Sequence, residues 1–466
     1  MNVQNKLMSE AAGAGIELRG VGKLSALSVV TRGLLMKRGA ERDEAIRART
    51  ADIIADVRNR GDVALLQMAQ DFDGVHLTDL EIPRSVWIQA LEELQPDLRE
   101  AMERSVANIR RVHTAFMPVS LEVSPEPGIT VGRRVDPLAR VGVYAPGGRA
   151  AYPSSLFMGA IPARVAGVYE VIVCTPPTAG GNPSPVVLAA AELANVDRVF
   201  AVGGAGAIAA MALGTRCIPR VDRIVGPGNA YVAEAKLQLV GEVAIDSPAG
   251  PSELLVLADG RANAEVLARE LVAQAEHDPQ AAVLALIVGE GADELQALLL
   301  QALARVVQSA PRSDIIRLSL AERGAVLTCE SMDAAIDFAN EFASEHLLLA
   351  VSPDVQPGVL MRLRSQGTIC VGESSSVAFG DYMTGANHVL PTAGLARCYS
   401  GLSTSDFVRY TTWQRVSPEA AARLSNDVGA FADAEGLPGH ALAAQSWSAL
   451  RPNTTVAVQH NSQSGS

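Results

Sequence analysis

The chain has 466 residues, with 51 acidic and 39 basic side chains, seven histidines and five cysteines. At about 150 residues per domain, this length predicts several domains, each large enough to bury its own core. A hydrophobic content of 48% with 19% charged residues is typical of globular proteins and excludes wholesale disorder. The net charge of -12, without a long run of lysine and arginine, argues against nucleic acid or an anionic membrane as the main partner.

The cysteines and the apolar runs favour a cytoplasmic protein. No apolar run approaches the roughly 18 residues that a membrane helix needs, and the stretch MNVQNKLMSEAAGAG lacks the apolar core of a secretory signal. The five cysteines are widely spaced and form no CxxC pair. They predict neither a disulfide framework nor a thiolate zinc site, so nitrogen and oxygen ligands would have to hold a transition metal.

The N-terminal part of the chain is predicted to be an arm followed by helices. Residues 1–38 are mixed in character and rich in glycine, which suggests a short arm. From residue 41 to 68 apolar residues recur at three- and four-residue spacing, and a Gly61-Asp62 break starts a second helix. Residues 97–113 predict another helix.

The central part predicts parallel β-structure. Between residues 141 and 256, short β-branched runs alternate with alanine-rich helical stretches, which indicates βαβ crossovers. The pattern resumes at ELLVLAD and continues to RGAVLTC, so a second parallel sheet or a continuation of the first follows. From residue 402 the strand signal stops. Residues 419–432 and 440–450 predict a small helical appendix, and the polar end is predicted to be disordered.

Glycine-rich segments follow several of the predicted strands. Gly204, Gly206 and Ala209 fit a G-x-G-x-x-A pattern at a strand-to-helix turn, where backbone N–H groups can receive a phosphate. Such turns also arise from packing alone, and both interpretations stay open. YAPGG and GPGNAY are stronger patterns, because both follow predicted strands at the carboxyl ends where open α/β sheets bind ligands.

Four further segments combine an imidazole with a carboxylate or an amide. A carboxylate beside an imidazole suits general acid–base catalysis near neutral pH. Taken one at a time, three of them are more simply explained as solvent-exposed side chains, a core edge or a surface loop, whereas the glycine-rich Asp381 segment is site-like in composition. Two carboxylates on the Gln274 helix, Glu270 and Glu276, are interpreted as solvated charge. The four pairs are Gln274 and His277 on one helix face, Glu345 and His346 before an apolar strand, Asp381 and His388 in a loop, and Glu435 and His440 around a turn.

Taken together in chain order, these segments resemble one family. From about residue 39 to about residue 450 the sequence resembles histidinol dehydrogenase, the NAD-dependent enzyme that ends histidine biosynthesis. The motifs that carry the resemblance are VGVYAPGG, VGPGNAYVAEAK, AIDSPAGPSE, QAEHDP, SEHL, GDYMTGANHVLPT and AEGLPGH. Several are long and specific, which excludes chance agreement.

The resemblance implies a zinc site made of nitrogen and oxygen donors. The positions that match the family's zinc ligands are Gln274, His277, Asp381 and His440. In the family the substrate binds at the metal, so zinc would anchor and orient it. The substrate contacts that the resemblance implies are Ser252, Gln274, His277, His346, Asp381, Glu435 and His440, with His388 nearby.

The resemblance also implies the catalytic and cofactor residues. His346 matches the general base for the alcohol and later for the aldehyde hydrate, and Glu345 matches the residue that activates water. Tyr144 and Asn229 match contacts to NAD. Many members carry glutamine in VGGAQAIAA where this chain has Gly206, so that cofactor contact is expected to be absent.

Pattern and resemblance together predict the organisation of the chain. We expect an α/β protein with two Rossmann-like parallel-sheet domains, a small N-terminal arm and a C-terminal helical domain. The family is an interlocked homodimer, so Glu435 and His440 would complete the partner's site. The predicted parts are the arm 1–38, a discontinuous first α/β domain 39–143 and 253–400, a cofactor-side α/β domain 144–252, a helical domain 401–452 and a disordered tail 453–466.

Two other functions remain open from the sequence. A paralogue on the same scaffold could oxidise another primary alcohol, such as a sulfonated diol, to its acid. The complete ligand set, with Glu435 and Ser252, favours histidinol because an imidazole-and-amine substrate needs those partners. A non-catalytic descendant that has lost NAD binding has only Gly206 in its favour, and every acid, base and ligand position is filled.

Overall fold

The computed structural model describes residues 16–38, 43–147, 151–248 and 250–449, and the predicted tail 453–466 lies outside them. By its internal contacts the chain forms two compact units. The larger unit consists of Met1–Met117 and Pro137–Val408, and the smaller consists of Pro118–Asp136 and Arg409–Ser466. The five-part division predicted from the sequence stays a prediction.

Strands and helices alternate along most of the described chain. The strands are β1 (Gly20–Lys23), β2 (Leu121–Val123), β3 (Ile129–Pro137), β4 (Arg140–Tyr144), β5 (Glu170–Thr175), β6 (Arg198–Ala201), β7 (Arg223–Val225), β8 (Ala244–Ile245), β9 (Glu253–Asp259), β10 (Ala282–Val288), β11 (Gly324–Cys329), β12 (His346–Ala350), β13 (Thr368–Val371) and β14 (Val408–Val416). The α-helices are Val29–Met36, Glu44–Arg60, Asp62–Phe72, Arg84–Glu92, Pro96–Ala115, Pro153–Val165, Pro185–Leu193, Gly204–Leu213, Ala230–Gln238, Ala264–Ala275, Ala292–Ser309, Ser313–Arg323, Met332–Phe342, Gln356–Leu360, Val377–Tyr382, Pro418–Ala434 and Pro438–Ala449.

The larger unit contains a six-stranded parallel sheet in the order β1-β11-β10-β9-β12-β13. Its central strands are continuous apolar runs, and β10 and β12 are buried along their whole length. Such runs form when helices cover both faces of a parallel sheet, and a separate apolar core lies on each face. The segment predicted to be an arm includes β1, which pairs with β11 at the edge of this sheet.

A second parallel sheet in the same unit has the order β6-β5-β4-β7-β8. Alanine-rich crossover helices let the backbones approach closely, and the helix Gly204–Leu213 is buried along nearly its whole length. One of its cores contains the fully buried Phe200 together with residues from the helices Glu44–Arg60 and Asp62–Phe72. The predicted α/β class with two parallel sheets is therefore confirmed.

The smaller unit corrects one prediction. It holds a three-stranded sheet in the order β14-β3-β2, in which β2 and β3 are antiparallel. The expectation that strands stop at residue 402 is wrong, because β14 is nine residues long. Most of its side chains are exposed or half-buried, so no apolar run reveals it, although its valine, threonine, tyrosine and tryptophan residues favour strand structure. The two predicted C-terminal helices are present and pack on each other.

Within the described ranges, every helix is too short or too polar to cross a membrane.

His113 is a buried titratable group in the larger unit. It lies in the last turn of the helix Pro96–Ala115, it is 1% exposed, and the Phe116 ring meets it edge-on at 6.0 Å. Neither ring nitrogen has a hydrogen-bond partner among the described residues. Burial disfavours the charged imidazolium and lowers the pKa of His113 to about 4.

Replacing His113 with leucine should reduce the acid sensitivity of the fold. The folded-state pKa lies below the ordinary value of 6.5, so stability is fully present above pH 6.5 and is lost as pH falls toward 4. Between pH 7 and pH 5 the wild type should lose at most about 2 kcal/mol more than His113→Leu. Urea unfolding at both pH values measures this difference. The exposed His76→Leu should behave as wild type, and equal losses in wild type and His113→Leu would contradict the prediction.

Candidate active site

Four polar residues meet at the amino ends of the central strands of the six-stranded sheet. Glu253 opens β9, His346 opens β12, and Glu345 directly precedes His346. The register pairs His346 with Leu254, so the two glutamates are neighbours across the strands. Ser252 comes directly before Glu253, is half-buried, and accepts a 3.0 Å hydrogen bond at its carbonyl from Ala282.

Glu253 and Glu345 bind each other's backbone. The N–H of Glu253 donates to Glu345 Oε2 at 2.8 Å, and the N–H of Glu345 donates to Glu253 Oε2 at 3.2 Å. The His346 Nδ1 atom lies 3.3 Å from the carbonyl oxygen of Glu253 and 3.4 Å from Glu345 Oε2. A hydrogen on Nδ1 satisfies these acceptors and leaves the Nε2 lone pair free, which is the arrangement of a general base.

Asp381 and His388 complete this group of side chains. Asp381 Oδ1 is 3.8 Å from His346 Nε2 and 3.8 Å from His388 Nδ1. His388 Nδ1 also lies 3.0 Å from the backbone carbonyl of Asp381. The structure therefore brings together two of the predicted segments, since the Glu345–His346 pair and the Asp381–His388 loop share one site.

Charge and burial oppose each other at the two imidazoles. Burial disfavours charge on His346, but the Glu345 carboxylate, the Asp381 carboxylate and the Glu253 carbonyl together raise its pKa above the ordinary value. At His388 burial is the larger effect and lowers the pKa despite the nearby Asp381 carboxylate. The site therefore holds one imidazole of raised basicity beside one that favours the neutral form.

The segment that carries Asp381 and His388 is fixed by neighbouring helices. Asp381 lies in the helix Val377–Tyr382, so its predicted place in a loop was wrong, and His388 lies in the loop that follows. Ser105 Oγ donates to the Tyr382 carbonyl at 2.6 Å, and Asn108 Nδ2 donates to the Met383 carbonyl at 2.8 Å. Asn387 Nδ2 donates to the carbonyl of Met158, in the helix Pro153–Val165, at 2.8 Å. These bonds satisfy the carbonyls at the end of the helix Val377–Tyr382 and join the loop to the second sheet's helices.

The helix that carries Gln274 contacts the start of the helix that carries Asp381. Glu270 Oε2 accepts from the Val377 N–H at 3.1 Å, where the helix Val377–Tyr382 begins. Gln274 lies one turn after Glu270 and is 4% exposed. Glu270 itself is buried, so its interpretation as solvated charge was wrong.

The assignment of the zinc ligands stays a prediction. Gln274 is buried on the helix Ala264–Ala275, and its side chain donates no hydrogen bond to another described residue. His277, just past the end of that helix, is exposed. Amide, carboxylate and imidazole donors fit zinc without thiolates. In the described part of the chain, however, no three histidine, cysteine, aspartate or glutamate side chains are placed to hold a metal ion.

The remaining predicted ligand belongs to the smaller unit. His440 lies in the helix Pro438–Ala449, and Glu435 ends the preceding helix Pro418–Ala434. Both are exposed within that unit. Their assignment to zinc and substrate stays a prediction.

The predicted cofactor residues lie at the carboxyl ends of the second sheet. Tyr144 ends β4 and is buried, and its hydroxyl accepts the Gly204 N–H at 3.0 Å, at the start of the helix Gly204–Leu213. Burial raises the pKa of Tyr144 to about 12, so the hydroxyl keeps its proton. Asn229 is exposed, and its side-chain oxygen accepts the N–H groups of Tyr231 and Val232. Its amide N–H₂ group donates to no other described residue.

The Gly206 position faces another helix. A Cβ atom at Gly206 would meet Met68 Sδ at 3.0 Å and Leu65 Cδ2 at 3.3 Å, both in the helix Asp62–Phe72. The helices Gly204–Leu213 and Asp62–Phe72 therefore pack against each other at Gly206, in the space that a longer side chain at this position would occupy. The expectation that a contact to NAD is absent at Gly206 stays a prediction.

A buried ion pair holds the loop between β7 and the helix Ala230–Gln238. Lys236 Nζ donates to the Gly226 carbonyl at 2.5 Å and to Asp246 Oδ1 at 2.7 Å, and Asp246 Oδ2 accepts the Gly226 N–H at 2.7 Å. Burial raises the pKa of Asp246, while the ammonium of Lys236 opposes this shift. The ion pair therefore binds both the N–H and the carbonyl of Gly226, next to Tyr144.

Two buried charged residues beside Glu345 were missed by the sequence analysis. Arg38 forms an ion pair with Glu253, and each side chain is 1% exposed. Burial raises the pKa of Glu253 to about 7, against the opposing charge of Arg38. Glu253 is the last residue of the motif AIDSPAGPSE, which was its one signal in the sequence, whereas nothing in the sequence marks Arg38.

Comparisons with known proteins agree on one family. The family model described as histidinol dehydrogenase matches residues 36–447. The histidinol dehydrogenase of Methanosarcina mazei is 43% identical over 437 residues, covering 92% of this chain and 98% of its own. That of Halobacterium salinarum is 46% identical over 405 residues, covering 86% and 93%. A crystal structure of histidinol dehydrogenase from Elizabethkingia anophelis matches with a TM-score of 0.87 and 31% identity, covering 93% and 99%.

Gly226→Ala should destabilise the fold by at least about 2 kcal/mol, because a residue with a side chain is strained in this backbone conformation. Gly226 has φ +113°, and its Cβ would lie 2.1 Å from the Tyr144 carbonyl oxygen. Urea unfolding measures the loss. Gly358→Ala is the matched control, because nothing lies within 4 Å of its Cβ position. A Gly226→Ala variant as stable as wild type would contradict the close approach.

Proposed function

Because the chain belongs to the histidinol dehydrogenase family, which places its activity in histidine biosynthesis, we propose that it oxidises L-histidinol to L-histidine through L-histidinaldehyde, using NAD⁺ and zinc. The observation that best supports this chemistry is the buried Glu345–His346 pair. In this pair the Glu253 carbonyl lies within hydrogen-bond distance of His346 Nδ1. A positioned imidazole with a free Nε2 can accept the proton of an alcohol as hydride leaves the carbon.

The first oxidation needs a base and an aligned hydride acceptor. His346 takes the hydroxyl proton at Nε2, and the raised pKa of its imidazole favours that transfer. Tyr144 and Asn229 are proposed to contact NAD at the carboxyl ends of the second sheet. The predicted division into a catalytic part, 39–143 and 253–400, and a cofactor part, 144–252, is retained in this proposal.

The second oxidation converts the aldehyde to the acid and needs water. Glu345 is proposed to accept a proton from the water that adds to the aldehyde, and His346 then serves as base for the hydrate. No thiol is required. Cys370 is the cysteine whose pKa responds to the charges of Glu270 and Asp381, but burial, with these charges, raises that pKa to about 11 and keeps the thiol protonated.

The substrate is proposed to bind among the nitrogen and oxygen donors. When bound, zinc would supply a fixed anchor for the imidazole and amino groups of histidinol. Gln274, His277, Asp381 and His440 would hold it, and Ser252 and Glu435, with His388 nearby, would contact the substrate. A cytoplasmic location is consistent with the five free cysteines but stays a prediction.

Histidinol oxidation should yield close to two NADH per histidinol, because alcohol to acid is a four-electron change. His346→Asn should lower kcat by about 100-fold to 10,000-fold, since a positioned general base contributes a factor of that size. Absorbance of NADH measures both, and elemental analysis should find unchanged zinc in the variant. The control is His76→Asn, an exposed histidine.

Each contrary result has a definite meaning. Full activity in His346→Asn would remove the assigned base. Turnover of another primary alcohol, with none of histidinol, would favour the paralogue. A ratio near one would show that oxidation stops at the aldehyde.

We further propose a homodimer in which Glu435 and His440 complete the partner's site. The smaller unit exposes several large apolar side chains, as expected of a surface that another chain covers, namely Val428, Phe431, Leu442 and Trp447. An exposed histidine on such a unit would then reach a metal site only through association.

Mixing two inactive chains should restore activity if sites are shared. One chain carries His346→Asn and the other His440→Asn. After co-refolding, about half the dimers are mixed and each has one intact site, so about a quarter of the wild-type activity should return. Either variant refolded alone is the control. An inactive mixture that contains mixed dimers would contradict shared sites.

A further inference from the structure

Arg38 and Glu253 form an almost completely buried ion pair, and Glu253 contacts the proposed catalytic pair of Glu345 and His346. Both side chains are 1% exposed, and Arg38 Nη1 donates to Glu253 Oε2. Arg38 Nη2 donates to the carbonyl of Phe342, and the guanidinium lies 3.5 Å from the centroid of the Phe342 ring. Phe342 ends the helix that leads directly into Glu345. The Arg38–Glu253 ion pair therefore connects the segment between Phe342 and Glu345 to the start of β9.

Glu253 contacts the catalytic pair through its side chain and its backbone. Its carboxylate accepts the N–H of Glu345 at 3.2 Å and the N–H of Ala393 at 2.7 Å. Its own N–H donates to the Glu345 carboxylate at 2.8 Å, and its carbonyl lies 3.3 Å from His346 Nδ1. One residue thus orients the carboxylate of Glu345 and the ring of His346 together.

Stability alone is a poor explanation of this ion pair. Desolvation of two charges offsets most of their attraction, and apolar replacements of buried pairs are often neutral or stabilising. The hydrogen bonds of the Glu253 carboxylate, by contrast, end on the N–H of Glu345, the N–H of Ala393 and the guanidinium of Arg38. Such an arrangement fixes the geometry of the residues around Glu345.

We propose that Glu253 and Arg38 are positioning residues that hold Glu345 and His346 in their reactive orientation. The proposal rests on the proposed function, in which His346 is the base. Arg38 holds the Glu253 carboxylate, which fixes the backbone of Glu253 and of Glu345. The Glu253 carbonyl then holds the hydrogen on Nδ1 of His346 and keeps Nε2 available for the substrate.

The main test removes both charges at once. Arg38→Met with Glu253→Gln leaves no uncompensated charge, and the new amide can still accept a backbone N–H. We expect the double variant to melt within about 5 °C of wild type. Its kcat for histidinol should fall about 100-fold with KM changed less than about threefold, because a misplaced base slows chemistry more than binding.

Two companion variants separate positioning from general damage. Arg38→Lys keeps the positive charge and its N–H donors on a single nitrogen, so its kcat should stay within about tenfold of wild type. In a His346→Asn background the double substitution should lower the residual rate by less than about threefold, because its effect acts through His346. The exposed pair Arg32→Gln with Glu341→Gln is the matched control and should leave kcat unchanged.

A crystal structure of the double variant gives a readout independent of activity. We expect His346 Nδ1 to leave the Glu253 carbonyl and the Glu345 carboxylate to rotate. An unmoved pair, or a kcat within about twofold of wild type, would overturn the proposal, as would full additivity with His346→Asn. If wild type does not oxidise histidinol, the proposed function fails, and the position of His346 in the crystal structure still decides the positioning role.

Discussion

The reciprocal hydrogen bonds between Glu253 and Glu345 are the interaction on which the candidate site depends. Each glutamate accepts the backbone N–H of the other, so the amino ends of β9 and β12 are fixed by side chains before the strand ladder begins. Two carboxylates this close would repel each other if both were ionised and unpartnered. Arg38 supplies the opposing charge for Glu253, and backbone N–H groups supply partners for both carboxylates. Geometry and charge balance therefore come from the same contacts.

The proposed function uses opposite ends of the two sheets of the larger unit. Open parallel sheets bind ligands at the carboxyl ends of their strands, and the proposed cofactor side follows that rule, with Tyr144 at the end of β4 and the Gly226 loop after β7. The proposed catalytic pair instead lies at the amino ends of β9 and β12. Amino ends offer unpaired N–H groups, which suit carboxylates. The Asn387 bond to Met158 connects the catalytic loop to the second sheet's helices.

The sequence predicted what local pattern encodes. Alternating β-branched runs and alanine-rich helices predicted parallel β-structure, and the family resemblance divided it into two sheets. Compact motifs identified Glu345, His346, Asp381 and His388, which the structure brings together. Arg38 could not be found this way, because its partner Glu253 is 215 positions away and a buried charge leaves no periodic signal. Glu270 was wrongly interpreted as solvated charge, because its position on a helix does not reveal that the first N–H of another helix, at Val377, donates to its carboxylate. The mostly exposed strand β14 escaped detection because apolar runs mark only buried strands.

The carboxylates around the site favour one kind of chemistry over another. Negative charge makes a neighbouring imidazole a better base and a neighbouring thiol a weaker acid. Glu345 raises the pKa of His346 against burial, whereas the charge of Glu270 adds to burial in raising the pKa of Cys370 to about 11. A thiolate nucleophile is therefore disfavoured where an imidazole base is favoured. This charge pattern favours the proposed reaction, in which the aldehyde is oxidised as its hydrate and water activated by a carboxylate replaces a covalent thiol adduct.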